Sequence, residues 1–440
     1  MIRNRESGKV FSINLMKKKS IKKKATLLLV TYVSTNNLRQ VQSNLIECYN
    51  HYSKDFNIST INLFYSDIMS LCAKYYWDVV IYHSSLIGLR FNRKKYLHLI
   101  KKNNLYFLSI KAKYRALLVQ DEFVSMDLVC IFINKYFVNT VFTVAPKSEI
   151  RKIYRTVDFK KTIFFNVLTG YIDTNVVKYV KNKKIKKKSF FIGYRAHIGA
   201  GWGTFNLKKI EIGELFEQHC KQKNLPSSIK FGADNFFLGY DWINFLIKCK
   251  ATVGIEGGSN ILDWDGSHAQ KIEILKKKNL NLTKKEVSFL EKNITKINLK
   301  ALSPKHLEAC ITKTCQVLVE GNYNNILKPW VHYIPLKKDY SNLKKVIKLV
   351  SDDKIVKKIT DKAYKDIVQS GNYTYEKFVE FVLSKFKIYS KNILNDYNFS
   401  YGNLTSPTMN FFLHLKFHKT KSKISIFAAD LLRKIINQLR

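Results

Sequence analysis

Acidic residues and proline are scarce in this chain. Only 33 of its 440 residues are Asp or Glu, against 76 Lys or Arg, and only 6 are proline. The formal net charge is +43. Paired-cysteine spacing is also missing: Cys48, Cys72, Cys130, Cys220, Cys249, Cys310 and Cys315 are odd in number and include no C-x-x-C. Scattered single cysteines read as reduced, mostly buried residues of a cytosolic protein. No apolar run approaches the length of about 18 residues that a membrane-spanning helix needs. Arginine is rare too, at 11 against 65 lysines. Dedicated nucleic-acid readers lean on arginine for bidentate contacts. Zinc-finger spacing, basic-zipper heptads and RNA-recognition aromatics are all missing, so nucleic acid is not expected as a partner.

What is present excludes a disordered polycation, because 46% of the residues are apolar and 13% aromatic. Much of the lysine excess reads as compositional background bearing on solubility and association rather than fold. The other reading is attraction to an anionic membrane surface or substrate. The run Ala25–Val33 follows KKKSIKKK in the manner of a signal peptide, but no small-residue cleavage site follows it. It reads as a first buried strand.

Strand-length apolar runs at Ile58–Leu63, Trp77–His83, Arg115–Gln120 and Thr140–Val144 continue from it, separated by helical patterns. The basic run Lys181–Lys188 interrupts them, and the alternation restarts at Phe190–Tyr194, Ile229–Phe231, Thr252–Ile255 and Gln316–Val319. Such alternation predicts parallel α/β sheets. The expected organisation is a basic arm over 1–24, a first domain over 25–180 that takes the acceptor, a linker over 181–188, and a second, donor-binding domain over 189–376. A helical tail over 377–440 packs back on the first domain or on a membrane surface. In that tail Ile424–Leu439 reads as an amphipathic helix with basic neighbours. Ligands of open α/β sheets bind beyond the carboxyl ends of the strands, which points to a central cleft between the two halves.

Eleven of the 17 glycines lie in 193–266, and four of the five tryptophans in 202–330. Within that region Phe190–Gly203, FFIGYRAHIGAGWG, reads as a strand and a glycine-rich loop leading into a helix. Gly199 and Gly201 would present backbone N–H groups to an anion, with Arg195 and either Lys208 or Lys209 as cations. A dinucleotide fingerprint is excluded because Thr204 stands at the third glycine position. Glu256 and Gly257 close the next strand. Asp263 and Asp265 flank Trp264 in a D-x-D spacing that a metal site and an ordinary Asx turn share. In Leu302–Ala309, LSPKHLEA, Ser303 suits a helix N-cap and Pro304 the first helical position. Lys305 and the first-turn N–H groups form an anion site, with Glu308 one turn in. Glu320 ends the strand that follows. In the first half Asp121, Glu122 and His83 stand at strand ends and are candidate bases.

These segments resemble the GT-B-fold glycosyltransferases, and within them the bacterial group with a second half like the spore-maturation glycosyltransferase-like proteins. The resemblance covers residues 25–390. It is carried by Gln120–Phe123 (QDEF), Leu168–Tyr171 (LTGY), Ile192–Arg195 (IGYR), Glu256–Gly266, Ser303–Ala309 (SPKHLEA), Glu320–Tyr323 (EGNY), His332–Asn342 and Ser370–Tyr375 (SGNYTY). It implies two Rossmann-like parallel-sheet domains facing a central cleft, and a nucleotide-diphosphate sugar as donor. No metal or other cofactor is implied. In the family's E-x7-E motif the second glutamate, on the nucleotide ribose, matches Glu308; the first falls at Lys300, which is not acidic. The implied activity is a metal-independent, hexosyltransferase-type transfer to a cell-surface glycan or a lipid-linked sugar, as in bacterial polysaccharide or lipopolysaccharide synthesis. The implied location is cytoplasmic and peripheral to the inner face of the membrane. The rival is a non-catalytic basic α/β protein that binds a membrane surface or nucleic acid.

Overall fold

The computed structural model describes residues 24–34, 40–66, 68, 75–103, 105–183, 188–196, 203–232, 235, 237–277 and 283–393. The glycine loop at Gly199 and Gly201, the basic arm up to residue 23 and the Ile424–Leu439 segment lie outside these residues.

The first half holds six strands: β1 Ala25–Thr31, β2 Phe56–Asn62, β3 Trp77–Tyr82, β4 Ala112–Leu118, β5 Thr140–Thr143 and β6 Ile163–Asn166. They pair in the order β2-β1-β3-β4-β5-β6, and every pair is parallel. β1 shows why the run is apolar without alternation. Leu28 and Val30 enter the core on one face, and Leu27 and Leu29 enter the core on the other. A strand buried on both faces has no polar side.

The second half repeats the scheme with β7 Phe190–Ala196, β8 Ser227–Phe231, β9 Cys249–Gly254, β12 Cys315–Val319 and β13 Ile334–Leu336. Their order is β13-β12-β9-β7-β8, again parallel throughout. The order reverses at β1/β3 in the first sheet and at β7/β9 in the second. Such switch points open a crevice at the carboxyl edge. All six cysteines in the described residues are buried and unpaired.

Two attachments from later in the chain clamp the first sheet. β10 Gly257–Leu262 and β11 Thr295–Ala301 form an antiparallel ribbon. Its Leu262, Ile297 and Leu299 are buried in one core of the first half. The final helix, Tyr375–Ile393, covers the other core with Tyr375, Phe378, Val379, Val382, Leu383 and Phe386. Where the chain returns, Ile172 N donates to the Tyr373 carbonyl at 2.7 Å, and the Ile172 carbonyl accepts from Tyr375 N at 3.2 Å. Two doubly wound parallel sheets with a last helix crossing back to the first constitute the GT-B arrangement. Among the described residues no helix is long and apolar enough to cross a membrane.

Candidate active site

The β7/β9 switch point places three groups together. The helix Pro304–Ile311 begins at Ser303, whose backbone is extended (φ −78°, ψ 146°) and whose side chain makes no capping bond. The first-turn N–H groups of this helix thus lack the side-chain acceptor that an N-cap serine ordinarily supplies. Lys305, in that turn, donates from Nζ to the backbone carbonyl of Arg195 at 2.7 Å, which sets its ammonium at the carboxyl end of β7. One turn on, half-buried Glu308 accepts a hydrogen bond from Trp242 Nε1 at 2.7 Å. Burial raises the Glu308 carboxyl, and its bond to the indole and the nearby Lys305 charge work the other way.

The helix start is braced from the side. Thr169 Oγ1 donates to the carbonyl of Leu302 at 2.6 Å, and Leu302 N donates to Asn324 Oδ1 at 2.5 Å. Gly170 lies so near Pro304 that a β-carbon there would stand 2.8 Å from its ring. The LTGY segment of the first half therefore seats directly on the SPKHLEA segment of the second.

Several expected ligands of the donor have other tasks. The Arg195 guanidinium turns toward β8: it donates to the Ser228 carbonyl at 2.7 Å and to Ser228 Oγ at 3.0 Å, and its centre lies 4.3 Å from the Phe245 ring. It fastens the sheet, and the cation at the strand end is Lys305. Glu256 is 3% exposed and accepts from Tyr323 N at 2.8 Å, and a β-carbon on Gly321 would fall 2.5 Å from its Oε2. Its carboxylate thus holds the turn that supplies Asn324. Gly257 lies in β10 against Ala301, and Glu320 is exposed. Lys300, where the family motif has its first glutamate, lies 5.6 Å from the Phe205 ring centre.

Where the glycine loop ends, the helix Thr204–Gln222 begins beyond Gly203, whose φ is +96°. Its N-terminus is already occupied from within. Glu291, 1% exposed, accepts from Thr204 N at 2.5 Å and from Thr204 Oγ1 at 3.1 Å. Of the two lysines in its first turns, Lys208 is half-buried on the helix surface. Lys209 donates to Asn206 Oδ1 at 2.6 Å. Burial pulls the Lys209 ammonium down to about 8, while the charge of Asp121 in the first half opposes the shift. Lys209 therefore lies within electrostatic reach of the first half.

Asp121 is exposed at the carboxyl end of β4, with φ at +55°. Arg90 imposes this conformation. Fully buried, it donates to the carbonyls of Ile87, Gln120, Asp121 and Val124, at 2.5 Å for Asp121. A left-handed non-glycine residue held by a buried arginine is the kind of strain that collects at functional positions. The other two candidate bases are enclosed. Glu122 is 0% exposed, accepts from Tyr154 Oη at 2.7 Å and from Thr143 Oγ1, and is pushed by burial up to about 7. His83 is 0% exposed, accepts from Ser85 N through Nδ1, and is held by burial down to about 3, hence neutral. Of the three candidate bases only Asp121 is therefore exposed; Glu122 and His83 are held inside the first half.

Asp263 and Asp265 behave as turn and cap residues. Asp263 accepts from the backbone N–H groups of His268 and Ala269, and Asp265 from that of Ser267. Arg90 and Trp242 were not singled out from the sequence. The signal for Trp242 was the local clustering of tryptophan; for Arg90 it was the rarity of arginine.

No protein-family model and no curated protein matches the chain. Solved structures do. Anabaena HepE in complex with UDP-glucose is similar with a TM-score of 0.45 and 9% identity, over 82% of this chain and 100% of that one. AviGT4, a glycosyltransferase involved in avilamycin A biosynthesis, is similar with a TM-score of 0.42 and 8% identity, over 84% and 98%. TarM is similar with a TM-score of 0.40 and 13% identity; the match covers 78% of this chain and 58% of TarM.

Proposed function

We propose that the chain is a glycosyltransferase that moves a sugar from a nucleotide-diphosphate donor to a glycan or lipid-linked acceptor. The observation that carries this reading is the uncapped helix start at Ser303, with the Lys305 ammonium beside it and Glu308 one turn in. The diphosphate would lie on the first-turn N–H groups and Lys305, and Glu308 would accept from the ribose hydroxyls. In the reaction the bond between the anomeric carbon and the diphosphate oxygen breaks, and a bond to the acceptor oxygen forms. The negative charge that develops on the leaving diphosphate is met by Lys305 and the helix end, which do the work that a metal ion does elsewhere. Asp121, the exposed strand-end carboxylate, takes the acceptor proton. Lys209 lies within electrostatic reach of Asp121. The nucleotide sugar is a substrate, and the proposal includes no resident cofactor.

Thermal melting with a set of nucleoside diphosphates tests this. A ligand that binds only the folded chain stabilises it by about 2.7 kcal/mol at 100 times its Kd. One diphosphate should raise the Tm, and Glu308→Ala should remove most of that rise. No rise with any diphosphate would refute the donor assignment.

A further inference from the structure

Because every strand of the first sheet is parallel, its amino edge lies opposite the cleft. There, where β3, β4 and β5 begin, Tyr76, Tyr106, Phe107, Ile110 and Phe137 are between 41% and 57% exposed. They form one surface. The rings of Tyr106 and Phe137 stand 6.0 Å apart, and Lys111 lies 4.0 Å over the Tyr76 ring. Half-buried Arg115 ties the surface together from below, donating to the carbonyls of Ser109, Ala112 and Phe137. Apolar side chains gathered in this way on a soluble face mark an interaction surface.

Phe137 adds a second observation. Its φ is +52°, a conformation that bulky residues avoid and asparagine tolerates. The left-handed turn closes the helix Met126–Lys135, with Val138 N donating to the Ile133 carbonyl at 3.0 Å, and a phenylalanine occupies a position that glycine or asparagine usually fills.

Charge decides what the surface fits. Between Asp78 and Asp121 the chain has no acidic residue and nine Lys or Arg. Lys101 and Lys102 are exposed at the end of the helix Arg93–Asn103, and Lys135 is exposed at the end of the helix Met126–Lys135. Of the acids at this edge, Asp78 beside the aromatic cluster is bonded to Thr26 and paired with Lys113 at 2.9 Å, Asp158 ahead of β6 is paired with Lys161 at 3.3 Å, and Asp55 stands at the start of β2. β1 also begins here, at Ala25. Tyrosine and phenylalanine surrounded by lysines suit the headgroup layer of an anionic bilayer.

We propose that the amino edge of the first sheet docks the chain on an anionic membrane through Tyr106, Phe107 and Phe137 and the surrounding lysines. The proposal is independent of the donor assignment, because docking here leaves the cleft open and needs no turnover.

Co-sedimentation of the full chain with vesicles tests it. Phosphatidylcholine vesicles carrying about 30% phosphatidylglycerol should bind the chain, and pure phosphatidylcholine vesicles should not. The double variant Lys101→Glu/Lys102→Glu should lower partitioning at least about tenfold, and so should Phe107→Ser/Phe137→Asn. Phe137→Asn alone separates docking from structure: it should keep or raise the Tm while it weakens binding. Nucleoside-diphosphate stabilisation should persist in every variant. Wild-type partitioning in both double variants, or failure of the wild-type chain to bind the anionic vesicles, would overturn the proposal.

Discussion

Two helices of the second half begin at the cleft, and they are finished differently. The helix from Thr204 follows a glycine-rich loop, yet the buried Glu291 carboxylate already sits on its first N–H. The helix from Pro304 begins at a serine that does not cap it, with a lysine in its first turn. A helix N-terminus attracts anions wherever it occurs. At Thr204 the chain supplies the anion itself, and at Pro304 it leaves the position to something else. Glycine content does not separate the two; the presence of a side-chain acceptor at Thr204 and its absence at Ser303 does.

The largest effect should follow from removing the cation at the open start. Lys305→Ala should lower kcat by about 100-fold to 1000-fold, the usual consequence of losing one group that stabilises charge in the transition state. Nucleoside-diphosphate stabilisation should fall with it. Circular dichroism should stay unchanged, because Lys305 is half-buried and its ammonium donates to a backbone carbonyl. Unaltered turnover would move the diphosphate back toward Thr204.

The sheets were legible because strands buried on both faces leave uninterrupted apolar runs, as Leu27–Val30 does. Two short strands were not. β6 has exposed ends, and β13 has only three residues. The β10–β11 ribbon was hidden for another reason. GGSNIL looks like a turn until it pairs with a segment 38 residues later, and that pairing is tertiary. The Ser303–Glu308 site was legible because its signal is local: a capping residue, a proline and a charge within one turn. The roles of Glu122 and His83 were not, because a strand-end position is visible in one dimension, whereas enclosure depends on the tertiary fold. Glu291 gave no signal, since its partner is 87 residues away.

Glu122 is the first half's counterpart to Glu291, a carboxylate enclosed by the fold, and its cost should be readable against pH. Burial holds it near 7 from an ordinary 4.5. Between those values the folded chain keeps a proton that the unfolded chain releases, so stability falls as pH rises through this window and levels off above it. Glu122→Gln keeps an acceptor for Tyr154 and removes the titration. The variant should be more stable than wild type at pH 8 by roughly 1–3 kcal/mol and close to it at pH 4. Parallel melting curves across that range would show that Glu122 is not enclosed as described.

The smallest effect bears most directly on the two helix starts. Glu291→Ala removes the internal anion at Thr204 and leaves a backbone N–H there without its acceptor. The loss should be about 1–2 kcal/mol, the usual consequence of losing an N-terminal cap, and visible as a lower Tm. If the two starts differ as described, nucleoside-diphosphate binding stays as it was, because the ligand rests on Ser303 and Lys305. If instead the diphosphate competes with Glu291 for the Thr204 helix, the variant binds it more tightly although it is less stable. Opposite movements of Tm and affinity would reverse the assignment, because one substitution would then have opened a site that the fold keeps closed.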